Sequence, residues 1–174
     1  MSESTGTESN ASGRFEHRTG GAWPGYLACV WGLVFAAISF YWGSGGTVGL
    51  NTIGGSIEAM ARRGDASILA AVWITGVLKL FGAVLVLALV RQWGRRLPQR
   101  PLLVLAWAAT VLLTLYGAFL VAGDALGETG AIHVSGTVDW TALRWHLWFW
   151  DMSFLVWGLL FLAALRNYRR ASIR

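Results

Sequence analysis

Charge is scarce in this chain, and cysteine and lysine are nearly missing. Only 13% of its 174 residues are charged, where a soluble chain carries about 25%, so the composition argues against an ordinary soluble domain. The single cysteine, Cys29, rules out an intramolecular disulfide, a thiolate metal cluster and dithiol redox chemistry. Several catalytic motifs are absent as well. The sequence has no H-x-x-x-H or H-E-x-x-H pair, no glycine-rich phosphate loop between strand and helix, and no serine elbow. Lysine occurs once, at position 79, and every other basic side chain apart from the histidines is arginine.

Apolar mass takes the place of charge. Hydrophobic residues make up 55% of the chain, tryptophan alone occurs eleven times, and the mean hydropathy is +0.52. Four apolar runs, at 23–42, 66–90, 101–122 and 145–165, each reach the roughly 20 helical residues that cross a bilayer. They are continuous and do not alternate, which excludes the strands of a membrane barrel. Lipid cannot satisfy open backbone groups, so the runs are expected to be helices. The expected fold is all-α, an integral membrane four-helix bundle over residues 23–170. A polar tail rich in Ser, Thr, Gly and Glu precedes it at 1–22, expected to be disordered, and a short basic tail follows at 171–174.

The net charge of +5 is placed by topology rather than for nucleic acid. Arg91, Arg95, Arg96 and Arg100 fill the short connection between the second and third runs, and Arg166, Arg169, Arg170 and Arg174 follow the fourth. The positive-inside rule makes both segments, and both termini, cytoplasmic. Their partner is anionic membrane lipid, and no nucleic acid is expected. The first run ends in "FYWG" without a small-residue cleavage site, so it reads as a retained span. Two long glycine-rich loops, 43–65 and 123–144, are then outside. The first has helical tendency over 56–63, which lies on the interface or folds back over the bundle mouth. Both loops contain Gly-Thr-Val, at 46–48 and 136–138, a faint sign of duplicated helical pairs.

Ionisable groups inside the runs stand out, because such residues are expensive in lipid and face the bundle interior. In "RWHLWFWDMSFLVWG" (144–158), Asp151 shares a face with Arg144, Leu147, Trp148 and Phe154 at about 100° per residue, while His146 and Trp150 fall on a neighbouring stripe. Lys79, near the middle of the second run, either pairs with Asp151 to lock helix register or helps form a polar site in an apolar cavity. Glu58 either pairs with Arg62 four residues on or is carried to the cavity mouth. Asp124, Glu128 and Asp139 are expected in water on the outer loops. His133 and His146 read as too isolated for a metal site. The third run presents a weakly polar face of Trp107, Thr110, Thr114 and Gly117.

A carboxylic acid in an aromatic-walled apolar pocket suits carbocation chemistry. The acid protonates an alkene or epoxide, and tryptophan faces hold the cation, by about 2 kcal/mol when desolvated. A lipophilic isoprenoid is the substrate class such a pocket takes. On "FYWGSGGTVGL" and "WHLWFWDMSFLVWG", residues 23–170 resemble a family of small bacterial four-helix membrane proteins catalogued without a function. The chain also looks like the membrane-bound terpene cyclases of actinobacterial indole-terpenoid pathways of the drimentine type. That resemblance implies acid-initiated cyclisation of a prenylated acceptor, with Asp151 and Glu58 as the catalytic acids. Trp148, Trp145, Trp42, Tyr41, Phe154, Trp107 and Lys79 would line the substrate site, and neither cofactor nor metal would be needed. Lys79 departs from that pattern, because a salt bridge to Asp151 would leave Glu58 to initiate. The competing expectation is a non-enzymatic membrane protein (a transporter subunit, lipid binder or scaffold) with a structural Lys79–Asp151 pair.

Overall fold

The computed structural model describes residues 21–129 and 140–172. Four helices are long and apolar enough to cross a membrane, and among the described residues there is no strand. Helix α1 (Trp23–Gly43) begins with Pro24 in its first turn, where a missing N–H costs nothing. A single 3₁₀ turn, Leu50–Thr52, and a short helix α2 (Gly55–Arg62) follow. The backbone reverses ahead of α2 at Gly54 and Gly55, with φ of 68° and 64°, a conformation that costs glycine little. Helix α3 (Ala66–Val90) is capped by Asp65, whose carboxylate accepts the Ser67 N–H at 3.2 Å.

A 3₁₀ turn at Gln92–Arg96 makes the arginine connection. The Gln99 side chain pins it by donating to the carbonyls of Gly94, Arg95 and Leu97. Helix α4 then runs over Gln99–Glu128. The fourth span starts as α5 (Trp140–Trp145), passes through a π turn at His146–Trp150, and continues as α6 (Asp151–Ser172).

Helix α1 packs mainly on α3 and α4 mainly on α6, and contact between α1 and α6 joins the two antiparallel pairs. Small residues set the approach. A side chain at Gly117 would strike the backbone of Leu155, and one at Gly158 would strike Thr114, so α4 and α6 meet nearly backbone to backbone. Trp157 lies in the notch made by Gly32, Gly82 and Ala83, and its Nε1 donates to the Ala28 carbonyl at 2.9 Å. Ala28, Val86, Ala106, Phe161 and Leu165 complete a core of buried apolar residues. Large apolar side chains such as Val30, Leu78, Leu112 and Phe119 point outward from the helices, as a lipid-facing surface requires.

The first two apolar runs, 23–42 and 66–90, fall within helices α1 and α3, and the fourth, 145–165, lies inside a longer helical segment that runs from Trp140 to Ser172 through the π turn. The third is longer than the expected 101–122. Its apolar run stops before Gly123, but the following Gly-Asp-Ala-Leu-Gly-Glu contains no proline, and its two glycines, at 123 and 127, cost only about 1 kcal/mol each in a helix. The helix therefore continues past the apolar run, and Asp124 and Glu128 are helical residues rather than loop residues. The expected helix at 56–63 is present as α2. His133, Asp139 and the second Gly-Thr-Val lie outside the described residues, as do 1–20.

Candidate functional site

The long connections leave the bundle at one end, the arginine turn at the other. At the loop end, three segments converge on Asp151. The first is the extended C-terminal part of α4, carrying Asp124. The second is the π turn, carrying His146. The third is the connection after the Leu50–Thr52 turn. In an ordinary helix His146 and Asp151, five residues apart, would point about 140° away from each other. Here the Asp151 N–H bonds to the His146 carbonyl, an i→i+5 bond that stacks residue 151 on residue 146. The imidazole Nδ1 consequently lies 3.5 Å from Asp151 Oδ2. One ligand atom each from Asp124, His146 and Asp151 falls within 4.8 Å of the others.

Burial and hydrogen bonding define the state of this cluster. Asp151 is only 4% exposed, while Asp124 and His146 are half-buried. Asp124 Oδ2 is shielded from solvent and has no hydrogen-bond partner. His146 Nε2 lies 3.1 Å from the Ile53 carbonyl oxygen. That oxygen can only accept, so Nε2 carries the hydrogen and donates. In the neutral imidazole, Nδ1 then presents a lone pair to the Asp151 carboxyl. Trp150 Nε1 donates to Thr52 Oγ1 at 3.1 Å, a second bond that draws the first connection down onto the π turn.

An aromatic cluster borders the polar one. Phe35 of α1 lies 5.8 Å from Trp150, edge-on, and 6.0 Å from Phe149, stacked. Trp150 also meets Phe149 at 5.0 Å and Trp42 at 5.3 Å. Trp31 extends the set behind Phe35, and Trp145 extends it beside Phe149. Trp145 and Phe149 are exposed, so the cluster opens along that flank. Two open apolar grooves lie elsewhere, one along α4 from Ala108 to Phe119 and one between α3 and α4 near the arginine turn.

The residues expected from sequence divide. Asp151 faces inward, as expected. It does not meet Lys79: Asp151 lies against His146. Lys79 Nζ instead donates to Ser39 Oγ across the α1–α3 contact at 2.7 Å and stands 6.0 Å from the Phe35 ring centre. Glu58 does not reach the cluster: it accepts from Arg62 Nε at 2.7 Å on α2, the pairing its spacing allows. Trp42 and Trp145 do border the aromatic set. Trp148 points away and is 70% exposed, and Trp107 is exposed on α4. Phe154 packs edge-on against Tyr116. Tyr41 packs under Gly46, and its hydroxyl accepts the Val48 N–H. On the α4 face, Thr110 bonds its own helix at Ala106 and Thr114 meets Gly158.

Sequence reasoning missed Asp124 and His146, together with Phe35, Phe149 and Trp150. The expectation that His146 is isolated is corrected, since the π turn brings it to Asp151. Two carboxylates and one imidazole form a donor set that fits a divalent transition metal. Equally, they can hold and pass a proton.

Compared with protein-family models, residues 32–161 match the family described as "Protein of unknown function (DUF3995)", and the chain belongs to that family. No curated protein and no solved structure matches it, so the likeness to terpene cyclases has no support from relatives.

Proposed function

We propose that this protein is a multi-pass cell-membrane enzyme that cyclises a lipophilic, isoprenoid-bearing small molecule by protonating it. The observation that carries this reading is the junction of a buried carboxyl group, Asp151, with the Phe35–Phe149–Trp150–Trp42 ring cluster. In the first step the Asp151 O–H bond breaks, and a C–H bond forms at an alkene carbon or an O–H bond at an epoxide oxygen. The electron pair of the broken bond stays on the carboxylate, and the substrate becomes a carbocation. Ring faces stabilise that cation, and their packing keeps water from it. Ring closure follows, and loss of a proton from the neighbouring carbon returns it to the Asp124–His146–Asp151 group. The net change is isomerisation.

With the arginine end cytoplasmic, the cluster sits in the outer half of the bundle. A substrate dissolved in the bilayer reaches it along the exposed flank of Trp145 and Phe149. Glu58, held by Arg62, has no part in this scheme. The test is incubation of membranes carrying the protein with a prenylated indole. Asp151→Asn should abolish cyclisation while the bundle stays folded, and full turnover by that variant sinks the proposal.

A non-enzymatic reading finds its support in Lys79. Its bond to Ser39 crosses from α3 to α1 and suits a helix lock, a role that needs no substrate.

A further inference from the structure

The geometry points to a divalent-cation site built from Asp124, His146 and Asp151, and we propose that it takes a zinc-class ion. Three groups with lone pairs converge here, one ligand atom from each lying within 4.8 Å of the others. A deprotonated carboxylate only accepts hydrogen bonds, and in the neutral imidazole His146 Nδ1 accepts while Nε2 donates to the Ile53 carbonyl. One proton can join two of these groups. Without a metal, a second proton must bridge Asp124 to Asp151, and Asp124 Oδ2 is shielded and accepts from no donor. A divalent cation satisfies all three at once.

The dimensions agree. Ligands 2.0–2.2 Å from a tetrahedral ion lie about 3.4 Å from one another. His146 Nδ1 and Asp151 Oδ2 are already 3.5 Å apart, and no pair in the set exceeds 4.8 Å. A rotamer adjustment at Asp124 closes the remainder. The imidazole is arranged as metal-bound histidines usually are, its second nitrogen donating to a backbone carbonyl that fixes tautomer and ring plane. Three protein ligands leave a fourth position open, the arrangement of zinc sites that bind water or substrate. One imidazole among few oxygens disfavours calcium and magnesium, and the lack of a thiolate or thioether disfavours copper(I).

The cyclase reading uses these residues metal-free, with Asp151 protonated, whereas a bound cation takes Asp151 deprotonated; the cation proposal stands without that reading, because metal binding is measured with no isoprenoid present. The experiment takes the full-length chain, free of any histidine tag, in detergent micelles after chelation. Zinc chloride is titrated by calorimetry, with magnesium chloride in parallel, and bound metal is counted by elemental analysis after dialysis. The proposal expects one zinc per chain and no competition by magnesium. It also expects about 100-fold weaker binding in each of Asp124→Asn, His146→Ala and Asp151→Asn. Glu58→Gln should bind as the parent does. Because His146→Ala could loosen the π turn, bound cobalt(II) supplies a second readout. Its visible ligand-field bands should report a four-coordinate nitrogen–oxygen site in the parent and vanish in the near-isosteric Asp124→Asn. Failure to retain zinc would overturn the site. So would equal zinc affinity in all three variants, which would move the metal to other histidines such as His17 and His133.

Discussion

His146 and Asp151 are five residues apart, yet the imidazole Nδ1 lies 3.5 Å from the Asp151 carboxyl because one π turn separates them. The contact is buried on the Asp151 side and should couple the two residues energetically. In chelated protein, a double-mutant cycle with His146→Leu and Asp151→Leu is expected to give an interaction energy of about 1–3 kcal/mol. Reversible unfolding in mixed micelles measures it. Strict additivity would mean that the two groups do not interact.

Glu58 supplies the contrast. The only described polar contact of its side chain is the i,i+4 pair with Arg62, worth about 0.3–0.5 kcal/mol. Glu58→Gln should therefore leave both thermal stability and any turnover within error of the parent. A tenfold loss of turnover in that variant would restore Glu58 to the mechanism.

Much of the helical fold could be read from the sequence, and for a physical reason: runs long and apolar enough to cross a membrane must satisfy their backbone groups internally, and helix does so. The bounds of α3 were readable at both ends, because Asp65 caps it and Arg91 ends its apolar run. The site was only partly readable. Asp151 stood out as an acid among tryptophans. Asp124 was hidden because α4 outlasts its apolar stretch, and hydropathy is blind to a helix that continues beyond lipid. His146 was hidden because a period of 3.6 assigns it to another face, and a local π turn leaves no mark in hydrophobic periodicity. One signal was available: an acid, a histidine and three tryptophans crowded within the seven residues 145–151.

Among the described residues Lys79 and Asp151 share no hydrogen-bond partner, so their substitutions should not communicate. Combining Lys79→Met with Asp151→Leu is expected to change stability by the sum of the single effects, within about 0.5 kcal/mol. Rescue of one substitution by the other, seen as recovered yield of folded protein, would show that they form a pair.

The α4–α6 contact depends on two glycines. A methyl group at Gly158 would meet the Thr114 backbone, and one at Gly117 the backbone of Leu155. Neither obstacle is a flexible side-chain end that could swing aside. Gly158→Ala and Gly117→Ala should each destabilise the bundle by about 1–3 kcal/mol, whereas Gly123→Ala, with open space around it, should be neutral or mildly stabilising. Midpoints of thermal unfolding in one detergent rank the three variants. Equal midpoints would mean that the helices do not approach as closely as described.

The aromatic cluster offers the sharpest discrimination between an enzyme and a scaffold. If Phe35, Phe149 and Trp150 only fill space, replacing Phe149 with leucine should cost stability and leave no chemical trace. If they face a carbocation, the same change removes a π face worth about 2 kcal/mol, which is roughly a 30-fold fall in rate for the step it stabilises. The product mixture should change as well. A less stabilised cation is intercepted earlier, by deprotonation to a partly cyclised alkene or by water to an alcohol, so early-quench products should increase relative to the parent. Trp150→Phe separates ring from hydrogen bond: it keeps an aromatic face but loses the donor to Thr52. It should retain the parent's product pattern while loosening the connection above it, detectable as faster amide exchange around residues 50–53. An unchanged product pattern in Phe149→Leu, with turnover reduced no more than the loss of folded protein explains, would assign these rings to packing alone.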